Sequence, residues 1–250
     1  MAPVKRTRIL MPLLVPIAVG RPQDVPEQVV LGHVPGLNDF VAGMAILLKP
    51  GGVISMEFPH LLRLMEETEF DTIYHEHFSY FSFLVAERLF TKHGLTIFDV
   101  EEIPTHGGSL RIFAKQASNS ALPVGERVFA LRQCEQKAGL DRADTYRAFA
   151  EKVKAAKRSL LRFLIDAREA GKHVVGYGAP AKGNTLLNYC GVRTDLLEYT
   201  VDRSPHKQGH FLPGTHIPVY APEKIRETRP DYVLILPWNL KNEIVEQMAE

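Results

Sequence analysis

Cysteine is nearly missing from this chain: Cys134 and Cys190 are the only two in 250 residues. Two thiols cannot build a disulfide framework or a cysteine-rich zinc module, and they suit a reducing compartment. An excess of one charge is missing too. The formal net charge is +1, which leaves no electrostatic footprint for nucleic acid or another polyanion. No apolar run is long enough to span a bilayer: Ile9 to Val19 is the best candidate, and Pro12 and Pro16 interrupt it. Glycine is scarce at the start, with Gly20 alone ahead of Gly32. A glycine turn able to grip a cofactor therefore has no place before Gly32.

The proline-rich start reads in two ways. Lys5-Arg6-Thr7-Arg8 ahead of Ile9 to Val19, with small residues at Ala18-Val19-Gly20, has the outline of a secretory signal. The broken apolar run and the enzyme-like remainder point instead to a cytoplasmic protein with an irregular leader over 1–27.

What is present becomes regular from Gln28. Val29-Val30-Leu31 is a short apolar run, Leu37 to Leu47 a helix and Val53 to Phe58 a strand. That order predicts one right-handed crossover of a parallel sheet, with His33 at a strand's C-terminal end. A capping or core histidine is an equally good reading of His33. Pro59 to Glu69 and Val85 to His93 read as helices, and Leu95 to Val100 and Leu110 to Ala114 as strands. Pro104 to Ser109 joins those strands, and Gly107-Gly108 serves either a turn or a ligand's close approach.

The densest chemistry lies at Tyr74-His75-Glu76-His77, inside an aromatic stretch from Phe70 to Phe83. Charge in an aromatic setting is usually paired or used, and a histidine there can take and return a proton near neutrality. A satisfied polar turn is the plain alternative. A metal site is a third, though His-x-His without further ligand spacing is a weak signature.

Gly125 to Ala138 and Asp144 to Glu169 are two charged, amphipathic helices, expected as a connector over 121–170. The chain then reads as strand, Gly176-Tyr177-Gly178-Ala179-Pro180-Ala181-Lys182, and helix. Gly176, Gly178 and Ala181 keep G-x-G-x-x-G/A spacing, and Asp202 follows at the distance of a ribose-binding acid. Such a turn presents backbone N–H groups to a phosphate, and Lys182 adds a point charge.

Several ordered motifs carry a resemblance: Gly32-His33-Val34-Pro35, Met56-Glu57-Phe58-Pro59-His60, Tyr74 to Ser82, Thr105 to Arg111, and Gly176 to Thr185. Together they resemble the sugar C-methyltransferases, which use S-adenosylmethionine to methylate a carbon of a nucleotide-linked keto-sugar. The resemblance runs from about Val29 onward. It implies an α/β fold, with the remnant of a methyltransferase-type sheet over 28–120 followed by the helical connector and a Rossmann-like C-terminal lobe over 171–250. It implies His77 as the base that removes the proton beside the ketone, with Tyr74, Glu76 and His33 lining the same pocket. Thr105, His106, Arg111, Gly176, Gly178 and Lys182 are the implied grips on the nucleotide-sugar, the expected partner. The family's zinc module is absent, no metal ligands are expected, and the S-adenosylmethionine site is incomplete, as in an N-terminally truncated enzyme. A non-catalytic nucleotide-sugar-binding module, or a partner subunit, is the second expectation. A nicotinamide-dependent oxidoreductase, drawn from the glycine turn and Asp202, is the third.

Overall fold

The computed structural model describes residues 31–249; the leader over 1–27 and Val29-Val30 lie outside them. The first lobe contains α1 (Leu37–Leu47), β1 (Ile54–Pro59), α2 (Leu61–Glu66), α3 (Phe83–Lys92), β2 (Leu95–Ile103), β3 (Ser109–Gln116) and α4 (Glu126–Ala138). Its three strands lie in the order β1-β3-β2, with both pairings antiparallel. Val41 and Met44 of α1, Phe83 and Phe90 of α3, and Val128 and Leu131 of α4 meet Phe58 and Ile112 of the sheet in one core.

The expected parallel crossover is not seen among the described residues, its first strand lying mostly outside them. Leu31 begins a 3-10 turn, and β1 has no parallel neighbour among the described residues. The turn 104–108 is too short for a crossover, so β2 and β3 must run antiparallel. Strand β1 then adds along the other edge of β3. In that register Arg111 stands opposite both Glu57 and Glu101. Its guanidinium is 3.1 Å from Glu57 Oε2 and 3.8 Å from Glu101 Oε2. Opposite charges facing each other across strands help fix register.

Helix α4, expected as connector, belongs to this lobe by more than its apolar face. Glu135 is fully buried and accepts hydrogen bonds from the backbone N–H of Phe83 and Leu84, at 2.7 and 2.9 Å. A carboxylate there satisfies orphan donors of α3's first turn and complements the helix dipole. It also lies 2.8 Å from His60 Nε2.

The long α5 (Ala143–Glu169) leads to β4 (Val174–Tyr177), α6 (Ala181–Cys190), β5 (Thr200–Val201), β6 (Val219–Tyr220), α7 (Glu223–Thr228), β7 (Tyr232–Ile235) and α8 (Lys241–Ala249). The strands form a parallel sheet in the order β6-β5-β4-β7. Successive residues of β4 feed opposite faces, as the pleat requires. Val174 packs with Leu164 of α5 and Leu187 of α6, whereas Val175 packs with Val201 and with Ile244 of α8. Strand β6 had no counterpart in the sequence reading, being only two residues long.

The space beside the glycines at the end of β4 is filled by protein. A Cβ on Gly176 would meet Thr200 Oγ1 at 2.7 Å, and one on Gly178 would meet Pro237 Cδ at 2.5 Å. Gly178 also has φ +90°. Gly178→Ala is therefore expected to lose about 2–4 kcal/mol through combined strain and overpacking. Urea unfolding measures this, and a loss below about 0.5 kcal/mol, the level of a neutral surface change, would refute the packing account.

Candidate active site

The stretch from Phe70 to Phe83 is pinned as a loop by its own hydrogen bonds. Tyr80 donates its hydroxyl to Thr72 O at 2.9 Å and accepts from Tyr74 N–H at 3.1 Å. His77 N–H closes a turn on Tyr74 O. The carbonyl of Gly32 accepts from Phe78 N–H at 2.7 Å and Ser79 N–H at 3.3 Å, tying the loop to the segment that carries His33. A Cβ on Gly32 would sit tight against Ser79 O, at 3.3 Å.

These ties place His77 among three rings. The His33 ring meets it edge-on with centroids 4.7 Å apart, Tyr74 stacks at 5.4 Å and Tyr80 tilts against it at 5.3 Å. His77 Nδ1 is buried without a hydrogen-bond partner among the described residues. Burial holds the His77 pKa below the usual histidine value, the neighbouring His33 lowers it further, and Glu76 opposes both. At neutral pH the ring is thus an uncharged base. Tyr74 is pushed above the usual phenol range by burial, with Glu76 and Asp71 adding to the shift, so its hydroxyl keeps its proton as a donor. His75 is exposed, like the aromatic Phe78 that follows the motif. Among the described residues no three His, Cys, Asp or Glu side chains converge as metal ligands.

The rings of His33, Tyr74 and His77, with Glu76, form one side of a cavity of about 270 Å³. The ends of β1 and β3 contribute Pro59 and Ser109, α6 of the second lobe contributes Lys182, and His60, Glu69 and Thr72 are among the rest of the lining. Pockets for small ligands usually begin near 300 Å³, so the space suits a hexose ring better than a whole nucleotide. Two contacts draw the lobes together beside it, and a third holds Lys182 within the second lobe. Trp238 Nε1 donates to Asp71 Oδ2 at 2.8 Å, and the rings of Phe70 and Tyr189 meet at 5.1 Å. Lys182 Nζ lies 4.2 Å above the Trp238 ring and donates to Asn239 Oδ1 at 2.9 Å. Burial lowers the Lys182 pKa against the opposing pull of Asp71 and Glu69.

The structure thus gathers His33, Tyr74, Glu76, His77 and Lys182 around one space. It does not bring the remaining sequence candidates there. Thr105 and Arg111 both bind the buried Glu57 carboxylate, Thr105 Oγ1 donating to Oε1 at 3.1 Å. The His106 side chain falls outside what the structure describes. Gly176 and Gly178 pack against Thr200 and Pro237, so their smallness serves the fold. Asp202, the expected ribose acid, is occupied. It accepts from Ala179 N–H at 2.7 Å and Ser204 N–H at 2.8 Å, and lies 3.3 Å from Lys207 Nζ. The oxidoreductase reading rested on Asp202 together with Gly176, Gly178 and Ala181; Asp202 is here held by its own lobe. Sequence reasoning missed Glu69, His60, Asp71 and Trp238. His60 stood within a quoted motif and Asp71 within the Phe70 to Phe83 stretch, both without a role.

Comparison with known proteins now decides the family. A family model described as the C-methyltransferase C-terminal domain matches residues 104–250. The chain belongs to the C-methyltransferase family. It is also similar to the C-methyltransferase NovU of Streptomyces niveus, 39% identical over 221 residues. That alignment covers 87% of this chain and 52% of the relative, so the chain spans about half the length of the curated C-methyltransferase it matches. The loop carrying His77 precedes the region matched by the family model.

A C-methyltransferase implies S-adenosylmethionine as methyl donor. The glycine turn after β4 is filled by Thr200, Pro237 and the Asp202 carboxylate, and no other described strand passes through a glycine turn into a helix.

Proposed function

We propose that the cavity binds the keto-sugar of a nucleotide-linked substrate and that His77 removes the proton from the carbon beside the ketone. The single observation that carries this reading is the His77 ring, kept uncharged by burial and by His33 and stacked on Tyr74 at the wall of a sugar-sized cavity. A carbon acid next to a carbonyl needs a base whose pKa lies near the operating pH, and donors aimed at the oxygen that becomes negative. Tyr74 and Lys182 are such donors by type and position. The electrons of the broken C–H bond move onto the oxygen, giving an enolate whose carbon can accept an electrophilic methyl group. Lys182, at the lobe boundary, is placed to meet the anionic part of the substrate. Family membership supports C-methylation as the outcome.

Proton removal is testable without a methyl donor. Incubated in heavy water with a nucleoside-diphosphate-linked keto-hexose, the protein is expected to replace the hydrogen beside the ketone by deuterium, read by NMR. Binding without exchange would instead support the module that holds a nucleotide-sugar and does no chemistry.

A further inference from the structure

Helix α2 stops in an uncomfortable way. Thr68 sits at φ +61°, a conformation in which glycine is the usual occupant and a β-branched residue is strained. The closing bond runs from Glu69 N–H to Leu64 O, 2.9 Å, and the turn carries Glu69 inward to 8% exposure. Gly107, at φ +98°, presses against the result: a Cβ there would collide with both Glu69 carboxyl oxygens. Those oxygens belong to the cavity that His77 faces, and among the described residues no hydrogen-bond donor reaches them. A carboxyl held this far in without a protein donor gains little for the fold from its position. Strain at Thr68 and a glycine at 107 nonetheless hold it in place, and backbone strain of this kind gathers at functional sites.

We propose that Glu69 acts as a carboxylic acid whose O–H donates a hydrogen bond to the substrate oxygen that gains charge when His77 removes the adjacent proton. The assignment rests on the reading of His77 as base. Burial lifts the Glu69 carboxyl to about 7, with Lys182 opposing and Asp71 and Glu67 adding to the rise. His77, His33, Tyr74, Glu76, His60 and Lys182 line the same cavity. A neutral acid at this place donates. An ionised one would repel the enolate and oppose its formation. The acid form predominates below about 7 and the base form of His77 above its lowered value, so deuterium exchange follows a bell with its alkaline fall near neutrality.

The experiment compares Glu69→Ala and Glu69→Gln in the exchange assay across pH, with substrate affinity measured by calorimetry. Glu69→Ala is expected to slow exchange by about 10²–10³-fold, the usual effect of losing one donor to an oxyanion, while affinity is retained. Glu69→Gln keeps a donor that does not ionise. It is expected to stay within about tenfold of the unmodified protein and to lose the alkaline fall. Equal exchange by the alanine variant and the unmodified protein, or an unchanged alkaline fall in the glutamine variant, would overturn the proposal. No exchange by the unmodified protein would instead remove the base assignment, and this proposal with it.

Discussion

Replacing His77 by alanine is expected to slow deuterium exchange beside the substrate ketone by on the order of 10³-fold, the middle of the range for a general base. The ring makes no hydrogen bond through Nδ1, so its loss removes no such partner from the fold. Thermal unfolding should shift only as far as a lost ring contact requires. The pH dependence gives a second check. Burial and His33 lower the pKa of His77, so the base form persists to more acid pH than in a free histidine. Exchange should therefore rise along an acid limb below the ordinary histidine value. His33→Ala removes one cause of the lowering, and the limb should move toward higher pH. Exchange by His77→Ala at the unmodified rate would sink the assignment, as would a limb that His33→Ala leaves in place.

Glu135→Ala carries the largest expected effect on stability. Its carboxylate is fully buried and takes three partners: His60 Nε2 and the first two N–H groups of α3. Truncation leaves those donors unsatisfied, and breaking a buried charged network of this kind costs about 3–5 kcal/mol. Glu135→Gln keeps an acceptor oxygen and should lose less. Urea denaturation decides between the outcomes, with a loss below about 1 kcal/mol in the alanine variant counting against the account. The effect should reach the site as well. Ser82 caps α3 immediately after the aromatic loop, so Glu135 fixes where that loop leaves His77. Loss of exchange activity beyond the loss of folded protein would report that coupling.

The features legible in the sequence were those carried by local pattern. Lys49-Pro50-Gly51-Gly52 separates α1 from β1, and Val174-Val175 before the glycine turn marks β4; both follow from periodicity and breakers. His77 stood out because an imidazole amid aromatics needs a reason. Pairing direction did not follow from pattern, since it depends on partners far along the chain: Glu57 meets Arg111 only once β1 has paired with β3, 54 residues further along. Asp202 had the right distance from the glycine turn, yet its oxygens are spent on Ala179, Ser204 and Lys207. Spacing reports position, not vacancy. Glu69 was hidden differently. It follows Glu66 and Glu67 at the end of an amphipathic helix and reads as one more solvated charge. Only the left-handed turn at Thr68 sends it inside.

The indole that joins the lobes has a use beyond holding them. Trp238 is the chain's sole tryptophan, hydrogen-bonded to Asp71 on one lobe and lying beneath the Lys182 ammonium of the other. Its ultraviolet emission is therefore a built-in optical gauge at the cleft, and ligand entry beside Lys182 can be followed by light without attaching a dye.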